Sequence, residues 1–119
     1  MSKQRAKGTF AETALVKALR EDGYDAERIP LGGSSDHGDV VVREPGYTHI
    51  VEVKNCAKWN PAGWIAEALV ERDNYCKARG LDPSNVGCCV VVKRIGKGDP
   101  RDWYTLSTVA ETFDLEVNL

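Results

Sequence analysis

The chain has 119 residues, of which 42% are hydrophobic, 29% charged and 8% aromatic. This length suits one compact domain, because two domains of half the size would each lack a sufficient core. The 16 basic and 18 acidic residues give a net charge of −2, which excludes a highly charged disordered chain and a uniformly basic one. No apolar run approaches the roughly 18 residues of a membrane span, and no apolar signal region follows the N-terminus, so we expect a cytoplasmic protein.

The first third of the chain predicts a helix and a short strand. Residues 1–8 are polar and basic, and we expect a flexible arm there. Thr9 and Glu12 have the spacing of a capping box, which predicts that the helix begins at Thr9, and Gly23 is a typical stop. A short strand over residues 24–29 and a loop rich in turn formers over 30–38 follow.

A β-hairpin is predicted next. Two runs rich in β-branched residues, 39–43 and 48–54, flank a turn that contains Pro45 and Gly46. If the turn is centred there, residue 39 pairs with a residue near 52.

The remainder of the chain adds a crossover helix and further strands. Asn60 followed by proline predicts a helix start, and the helix should reach Arg79. Residues 86–93 are almost wholly apolar, which is typical of an internal strand, and 103–105 predict an edge strand before a short helix capped by Ser107. This order predicts a single α/β domain, 1–119, with a mixed central β-sheet flanked by helices.

The four cysteines are Cys56, Cys76, Cys88 and Cys89. None forms a C-x-x-C pair, and adjacent cysteines on a strand point to opposite faces. We therefore expect reduced, buried thiols and no zinc site.

Asp39, Glu52 and Lys54 form the constellation that points to chemistry. Residues two apart on a strand share a face, so Glu52 and Lys54 point the same way, and the hairpin brings Asp39 beside them. Two adjacent carboxylates repel unless a cation neutralises them, and a hard ion such as Mg²⁺ suits this donor set. Metal, activated water and a neighbouring ammonium group are together the requirements of phosphodiester hydrolysis.

Other readings of these residues stay open. A Glu-x-Lys pair on a strand is common on solvent faces, where it contributes little. Glu12 can be a third carboxylate of the site or only the partner of its own capping box. The Gly/Ser-rich loop before Asp39 is typical of a close approach to phosphate, although Ser34 and Ser35 can equally cap a turn.

The order of these motifs resembles the PD-(D/E)xK nuclease superfamily, and within it the Holliday junction resolvases of the archaeal type, including phage and viral relatives. The resemblance covers residues 5–58. It comprises a Gly-Thr-x-x-Glu segment ending at Glu12, a strand containing Arg28, the Gly/Ser loop, Asp39 before an apolar strand, and Glu52-Val53-Lys54. Gly38 stands where those enzymes usually have proline.

The resemblance implies a restriction-endonuclease-like fold and a Mg²⁺-dependent endonuclease that cuts four-way DNA junctions, with Mn²⁺ substituting. Glu12, Asp39, Glu52 and Lys54 are then the catalytic residues, and the first three of them bind the metal. Because a four-way junction is two-fold symmetric and needs two cuts, a homodimer is expected. A phage-encoded origin fits the same resemblance.

DNA binding by a slightly acidic chain requires local basic patches. The residues that we expect to contact DNA are Lys3, Arg5, Lys7, Arg28, Ser34, Ser35 and Lys58. A second basic patch comprises Lys93, Arg94, Lys97 and Arg101. Trp59 can contact nucleic acid or pack at a subunit interface together with Trp64.

Three other functions remain open from the sequence. The first is a related nuclease acting on other branched or duplex DNA. The second is a non-catalytic DNA-binding module on the same scaffold, although such a module would have no use for clustered carboxylates. The third is a purely structural or interaction domain.

Overall fold

The computed structural model describes residues 3–30 and 38–116, with side chains described over 6–30 and 38–116. The predicted Gly/Ser loop, including Ser34, Ser35 and His37, lies outside the described residues. The helices and strands, in chain order, are α1 (Lys3–Glu21), β1 (Asp25–Arg28), β2 (Val40–Glu44), β3 (Tyr47–Lys54), α2 (Pro61–Arg79), β4 (Val86–Val92), β5 (Tyr104–Leu106) and α3 (Val109–Phe113).

The five strands form one mixed sheet in the order β1-β2-β3-β4-β5. Neighbouring strands are antiparallel except β3 and β4, which run parallel. A parallel pair needs a crossover connection, and α2 supplies it. The predicted α/β architecture with a mixed central sheet is confirmed, as is the edge position of the strand at residues 104–106.

Each face of the sheet is covered by one long helix. Ala11 and Leu15 of α1 pack with Val51 and Val53 on one face. The side chains of α2 pack on the other face, against a set that contains Ile50, Cys88 and Val90. Alternate residues of β3 therefore face different helices, and Cys88 and Cys89 face opposite layers, as predicted.

Helix α1 begins at Lys3, so the predicted start at Thr9 and the predicted flexible arm over residues 3–8 are wrong. Lys, Gln, Arg and Ala, which fill the segment before Gly8, have high helix propensity and continue the helix toward the N-terminus. Thr9 and Glu12 are therefore one turn apart inside a helix and do not form a capping box.

The ends of α2 follow the prediction closely. The side chain of Asn60 accepts a hydrogen bond of 3.2 Å from the amide of Gly63, and Pro61 is the first helical residue. Gly80 ends the helix in the left-handed conformation, with φ 63°. In contrast, α3 is capped by Thr108 instead of the predicted Ser107. Within the described ranges, no helix has the length and apolarity needed to cross a membrane.

Gly38 sits at a tight point just before β2. Its φ of 99° is in the region that favours glycine, and a Cβ placed on it would lie 2.6 Å from Ile50 Cγ2. Proline, whose φ is fixed near −65°, is incompatible with this backbone. The glycine allows the chain to reach Asp39 while passing close to the core.

Candidate active site

The β2–β3 hairpin joins Asp39 to the Glu52-Val53-Lys54 segment. Val40 pairs with Val51 across the hairpin, so the register places Asp39 opposite Glu52, as the sequence arithmetic predicts. The amide of Asp39 donates to the carbonyl of Val51 at 3.2 Å. The amide of Val53 donates to Asp39 Oδ2 at 2.8 Å, and this bond fixes the carboxylate at the end of the ladder.

Glu52 points from β3 toward α2 and is only 6% exposed. Two further glutamates come from α2, one turn apart: Glu67, which is half-buried, and Glu71, which is 1% exposed. One carboxylate oxygen from each of the three glutamates lies within 4.8 Å of the others. The three glutamates, one from β3 and two from α2, therefore form one cluster, which we call the carboxylate group.

Lys54 is the cation of this group. Its Nζ atom donates to Glu67 Oε1 at 2.9 Å and Oε2 at 3.1 Å, and it lies 3.3 Å from Glu52 Oε1. Burial lowers the pKa of Lys54, but the hydrogen bond to Glu67 and the charge of Glu52 outweigh it, so the pKa is raised overall. Lys54 therefore stays protonated and positively charged near neutral pH.

Burial has the opposite consequence for Glu52. Removal from water raises the pKa of the Glu52 carboxyl to about 7; a hydrogen bond with Glu71 opposes the rise, and the negative charges of Asp39 and Glu67 add to it. Without further positive charge, the site therefore holds Glu52 partly protonated at neutral pH.

The donor chemistry of the group fits a hard divalent cation. Asp39, Glu52, Glu67 and Glu71 offer carboxylate oxygens, and the ammonium group of Lys54 forms ion pairs with Glu52 and Glu67. Buried carboxylates that lie close together repel one another, and oxygen ligands are those that Mg²⁺ and Mn²⁺ select.

Glu12 reaches the same end of the sheet from the other layer. Its Oε1 atom lies 3.3 Å from Nε of Arg28 on β1, and Arg28 pairs with Val40, the neighbour of Asp39. Glu12 belongs to α1, whereas Glu52 faces α2, and the group of three glutamates does not include Glu12. Arg28 therefore forms an ion pair with Glu12, and its side chain is 44% exposed.

The start of α1 lies beside the end of β3. Asn55 Nδ2 donates to the carbonyl of Lys7 at 3.1 Å, and the Lys7 side chain is exposed. Lys58, four residues beyond Lys54, is also exposed. Lys3 and Arg5 fall in α1, in the part whose side chains lie outside the described residues.

Two arginines of the second predicted basic patch have different environments. Arg101 forms ion pairs with Glu21, Asp22 and Asp99 at 3.2–3.4 Å, which join the turn before β5 to the end of α1. Its charge is therefore largely compensated within the protein. Arg94 has a different environment and lies over the ring of Tyr104, 4.6 Å from its centroid.

Two residues of the carboxylate group, Glu67 and Glu71, were not predicted. The pattern that could have found Glu71 is the helical stripe of Trp64, Ala68, Glu71 and Tyr75, which are all buried. An acidic residue at a core position of an amphipathic helix is rare without a partner or an ion, and Glu67 lies one turn before it.

His49 and the cysteines lie apart from this group. The side chain of His49 is 37% exposed, and its Nε2 lies 2.6 Å from Glu44 Oε2. All four cysteines are free thiols; Cys76 and Cys88 are buried, as predicted, whereas Cys56 is exposed. Burial raises the pKa of Cys88 to about 12, so this thiol is unreactive near neutral pH.

Comparison with known proteins adds an independent line of evidence. Residues 3–62, half of the chain, match the model of the archaeal Holliday junction resolvase (Hjc) family. The fold is similar to that of Hjc from Archaeoglobus fulgidus, a Holliday junction resolvase from an archaeal hyperthermophile, with a TM-score of 0.57 and 18% sequence identity. That similarity covers 83% of this chain and 75% of the other. No curated protein sequence matches the chain.

The matched residues contain α1, the β2–β3 hairpin and the start of α2, which together carry Glu12, Asp39, Glu52 and Lys54. The chain therefore belongs to the archaeal Holliday junction resolvase family, a family of endodeoxyribonucleases.

Proposed function

We propose that this protein resolves four-way DNA junctions by divalent-cation-dependent hydrolysis of phosphodiester bonds. The observation that carries the proposal is the hydrogen bond from the Val53 amide to Asp39, which holds one carboxylate beside Glu52 and Lys54. Family membership supports the nuclease chemistry and the junction as substrate.

In this proposal, Asp39 and Glu52 are the principal metal ligands, and Mg²⁺ is the expected ion, with Mn²⁺ substituting. A bound divalent cation supplies Lewis acidity to the phosphate and eases deprotonation of the attacking water. Glu71 stands against Glu52, with a carboxylate oxygen within 4.8 Å of it, and so limits the positions that the Glu52 carboxylate can take. Glu12 contributes from the other layer, where its pairing with Arg28 sets the charge next to Asp39.

Lys54 acts directly on the reacting groups. Its ammonium group is held by Glu67 and Glu52, so its position is fixed before substrate arrives. From there it stabilises negative charge that develops on the phosphate oxygens and helps to orient the water. Because the raised pKa keeps Lys54 protonated, its role is electrostatic and it does not act as a base near neutral pH.

DNA binding is assigned to Lys7, Arg28 and Lys58, whose side chains lie at this end of the sheet. From the sequence we add the basic residues Lys3 and Arg5 and the loop serines Ser34 and Ser35. A homodimer would present two such sites to the two equivalent strands of a four-way junction.

The proposal is tested with labelled four-way junction, flap and linear duplex DNA of matched sequence, incubated with Mg²⁺ or with EDTA. We expect paired cuts in the junction with Mg²⁺, and no cuts with EDTA. Equal cutting of all three substrates would show that the protein is a less selective nuclease and not a junction resolvase. Binding without cleavage of any substrate would indicate a non-catalytic module.

A further inference from the structure

An aromatic surface lies at the end of the sheet that carries Lys54, because Tyr104 pairs with Val92, which pairs with Lys54. Trp59 stands between β3 and α2, five residues after Lys54, and is 44% exposed. Its ring centroid lies 6.0 Å from that of Trp64 and 6.0 Å from that of Tyr104. Trp64 is buried and holds the Trp59 ring in place from the core side, whereas Tyr104 on the edge strand is 47% exposed. We call Trp59 and Tyr104, with Arg94, the aromatic platform.

Cations border the platform. The guanidinium of Arg94 lies 4.6 Å from the centroid of Tyr104 and donates to the carbonyl of Asp102 at 3.0 Å, so the planar cation is held against the ring. Lys58 precedes Trp59 and is exposed. The amide of Lys93 donates to the carbonyl of Lys54 at 2.9 Å, which places this strand end beside the catalytic lysine.

Exposed aromatic faces combined with cations are the chemistry that recognises unstacked nucleotides. Bases stack on aromatic and guanidinium planes, while the cations contact the backbone, and the combination tolerates any base sequence. Phosphate contacts alone would need the cations but not two half-exposed rings. Resting on the proposed function, we infer that the aromatic platform binds unstacked bases of branched DNA next to the phosphate that is cut.

The positive charge of the platform makes it unsuited to binding a second copy of the chain. In a two-fold contact the same patch would meet itself, bringing Lys58 and Arg94 of one copy against those of the other. A polyanion is complementary to this surface. Because bases are accessible at branch points, the platform favours binding of branched DNA over continuous duplex.

The test compares binding of three DNA probes in EDTA, where cleavage is blocked: a four-way junction with 2-aminopurine at the branch point, a 15-nucleotide oligothymidine, and a linear duplex. The variants are Trp59→Ala, Tyr104→Ala and the conservative Trp59→Phe. Phe113→Ala is the matched control, because Phe113 is an exposed aromatic residue (69%) on α3. Thermal midpoints verify that each variant is folded.

We expect Trp59→Ala to weaken junction and oligothymidine binding by about tenfold or more, on the order of one lost base-stacking contact, with little change for duplex. Trp59→Phe should retain most of the affinity, and Phe113→Ala all of it. The 2-aminopurine fluorescence should be quenched by the wild type and less by Trp59→Ala. Equal losses on all three probes, or no loss, would overturn the inference.

Two further outcomes separate this inference from the proposed function. If the wild type cleaves junctions but Trp59→Ala binds them as tightly, the platform is excluded and the proposed function stands. If the wild type cleaves no junction while Trp59→Ala loses oligothymidine binding, the platform stands and junction cleavage fails. A Trp59→Ala protein that sediments as a smaller species with unchanged DNA affinity would identify the surface as a subunit interface.

Discussion

Asp39 Oδ2 accepts a hydrogen bond of 2.8 Å from the amide of Val53, the residue that separates Glu52 from Lys54. This bond joins the two halves of the motif through the backbone, so the carboxylate has a structural role in addition to the metal-binding role that we propose for it. The two roles can be separated, because an asparagine side chain can accept the same bond but carries no charge.

We expect Asp39→Asn to keep a thermal midpoint close to that of the wild type, whereas Asp39→Ala should lower it. The alanine variant leaves the Val53 amide without its acceptor, a loss on the order of 1–3 kcal/mol when the donor is shielded from water. Thermal or chemical unfolding of both variants measures the difference. Equal stability of the alanine and asparagine variants would show that the hydrogen bond does not hold the hairpin end.

The raised pKa of Glu52 predicts a pH-dependent stability of the metal-free protein. A carboxyl whose folded pKa is about 7, against about 4.5 unfolded, contributes stability that is complete below pH 4.5 and is lost as the pH rises through 7. The loss is on the order of 3 kcal/mol for this group alone. Glu52→Gln should lack this component, and the comparison of unfolding free energies between pH 4 and 8 measures it.

The same reasoning gives a cation effect of known sign. Because a divalent ion favours the deprotonated carboxylate, Mg²⁺ should raise the thermal midpoint more at pH 8 than at pH 5.5 in the wild type. In Glu52→Gln the increase should be small at both pH values. A Mg²⁺ effect that is independent of pH and of this substitution would place the ion elsewhere.

Lys54→Ala should lower the cleavage rate by about 10²-fold or more, as expected when one preorganised electrostatic partner is lost. Single-turnover rates on a preformed DNA complex measure this effect. Glu67→Gln is the informative companion, because it removes the charge that holds Lys54 but leaves the ammonium group in place, and a smaller reduction is expected. If the thermal midpoint of Lys54→Ala fell together with activity, the lysine would be structural.

The basic start of α1 should contribute to DNA affinity through phosphate contacts. The contact between Asn55 and the Lys7 carbonyl places this turn beside the end of β3. Replacing Lys3, Arg5 and Lys7 together by glutamine should weaken junction binding and reduce the slope of log affinity against log salt by about one unit per lost contact. Lys17→Gln, on an exposed site of the same helix, is the control. An unchanged slope would locate the DNA surface elsewhere.

The hairpin, the crossover helix and the internal strand could be predicted because local chemistry determines them. The Pro45-Gly46 turn sets the register that pairs Asp39 with Glu52, and Asn60 and Gly80 mark the ends of α2. The start of α1 was misjudged because a Thr-x-x-Glu pattern has the same spacing inside a helix as at its cap. Helix propensity of the preceding residues was the better guide.

The carboxylate group could only be predicted in part. Asp39, Glu52 and Lys54 are joined by a hairpin, whose geometry follows from short-range sequence. Glu67 and Glu71 approach Glu52 through the packing of α2 on the sheet, a long-range contact that no local spacing encodes. The aromatic platform has the same origin, because Trp59 and Tyr104 are 45 positions apart in the chain yet their rings lie 6.0 Å apart.

Metal binding by Asp39 and Glu52 is tested by the single-turnover cleavage of a preformed protein–junction complex, started by adding Mg²⁺, for the wild type, Asp39→Asn and Glu52→Gln. We expect all three proteins to bind the junction with comparable affinity, since removing negative charge does not weaken attraction to phosphate, and only the wild type to cut it. Cleavage at the wild-type rate by either variant, or by the wild type in EDTA, would contradict this expectation.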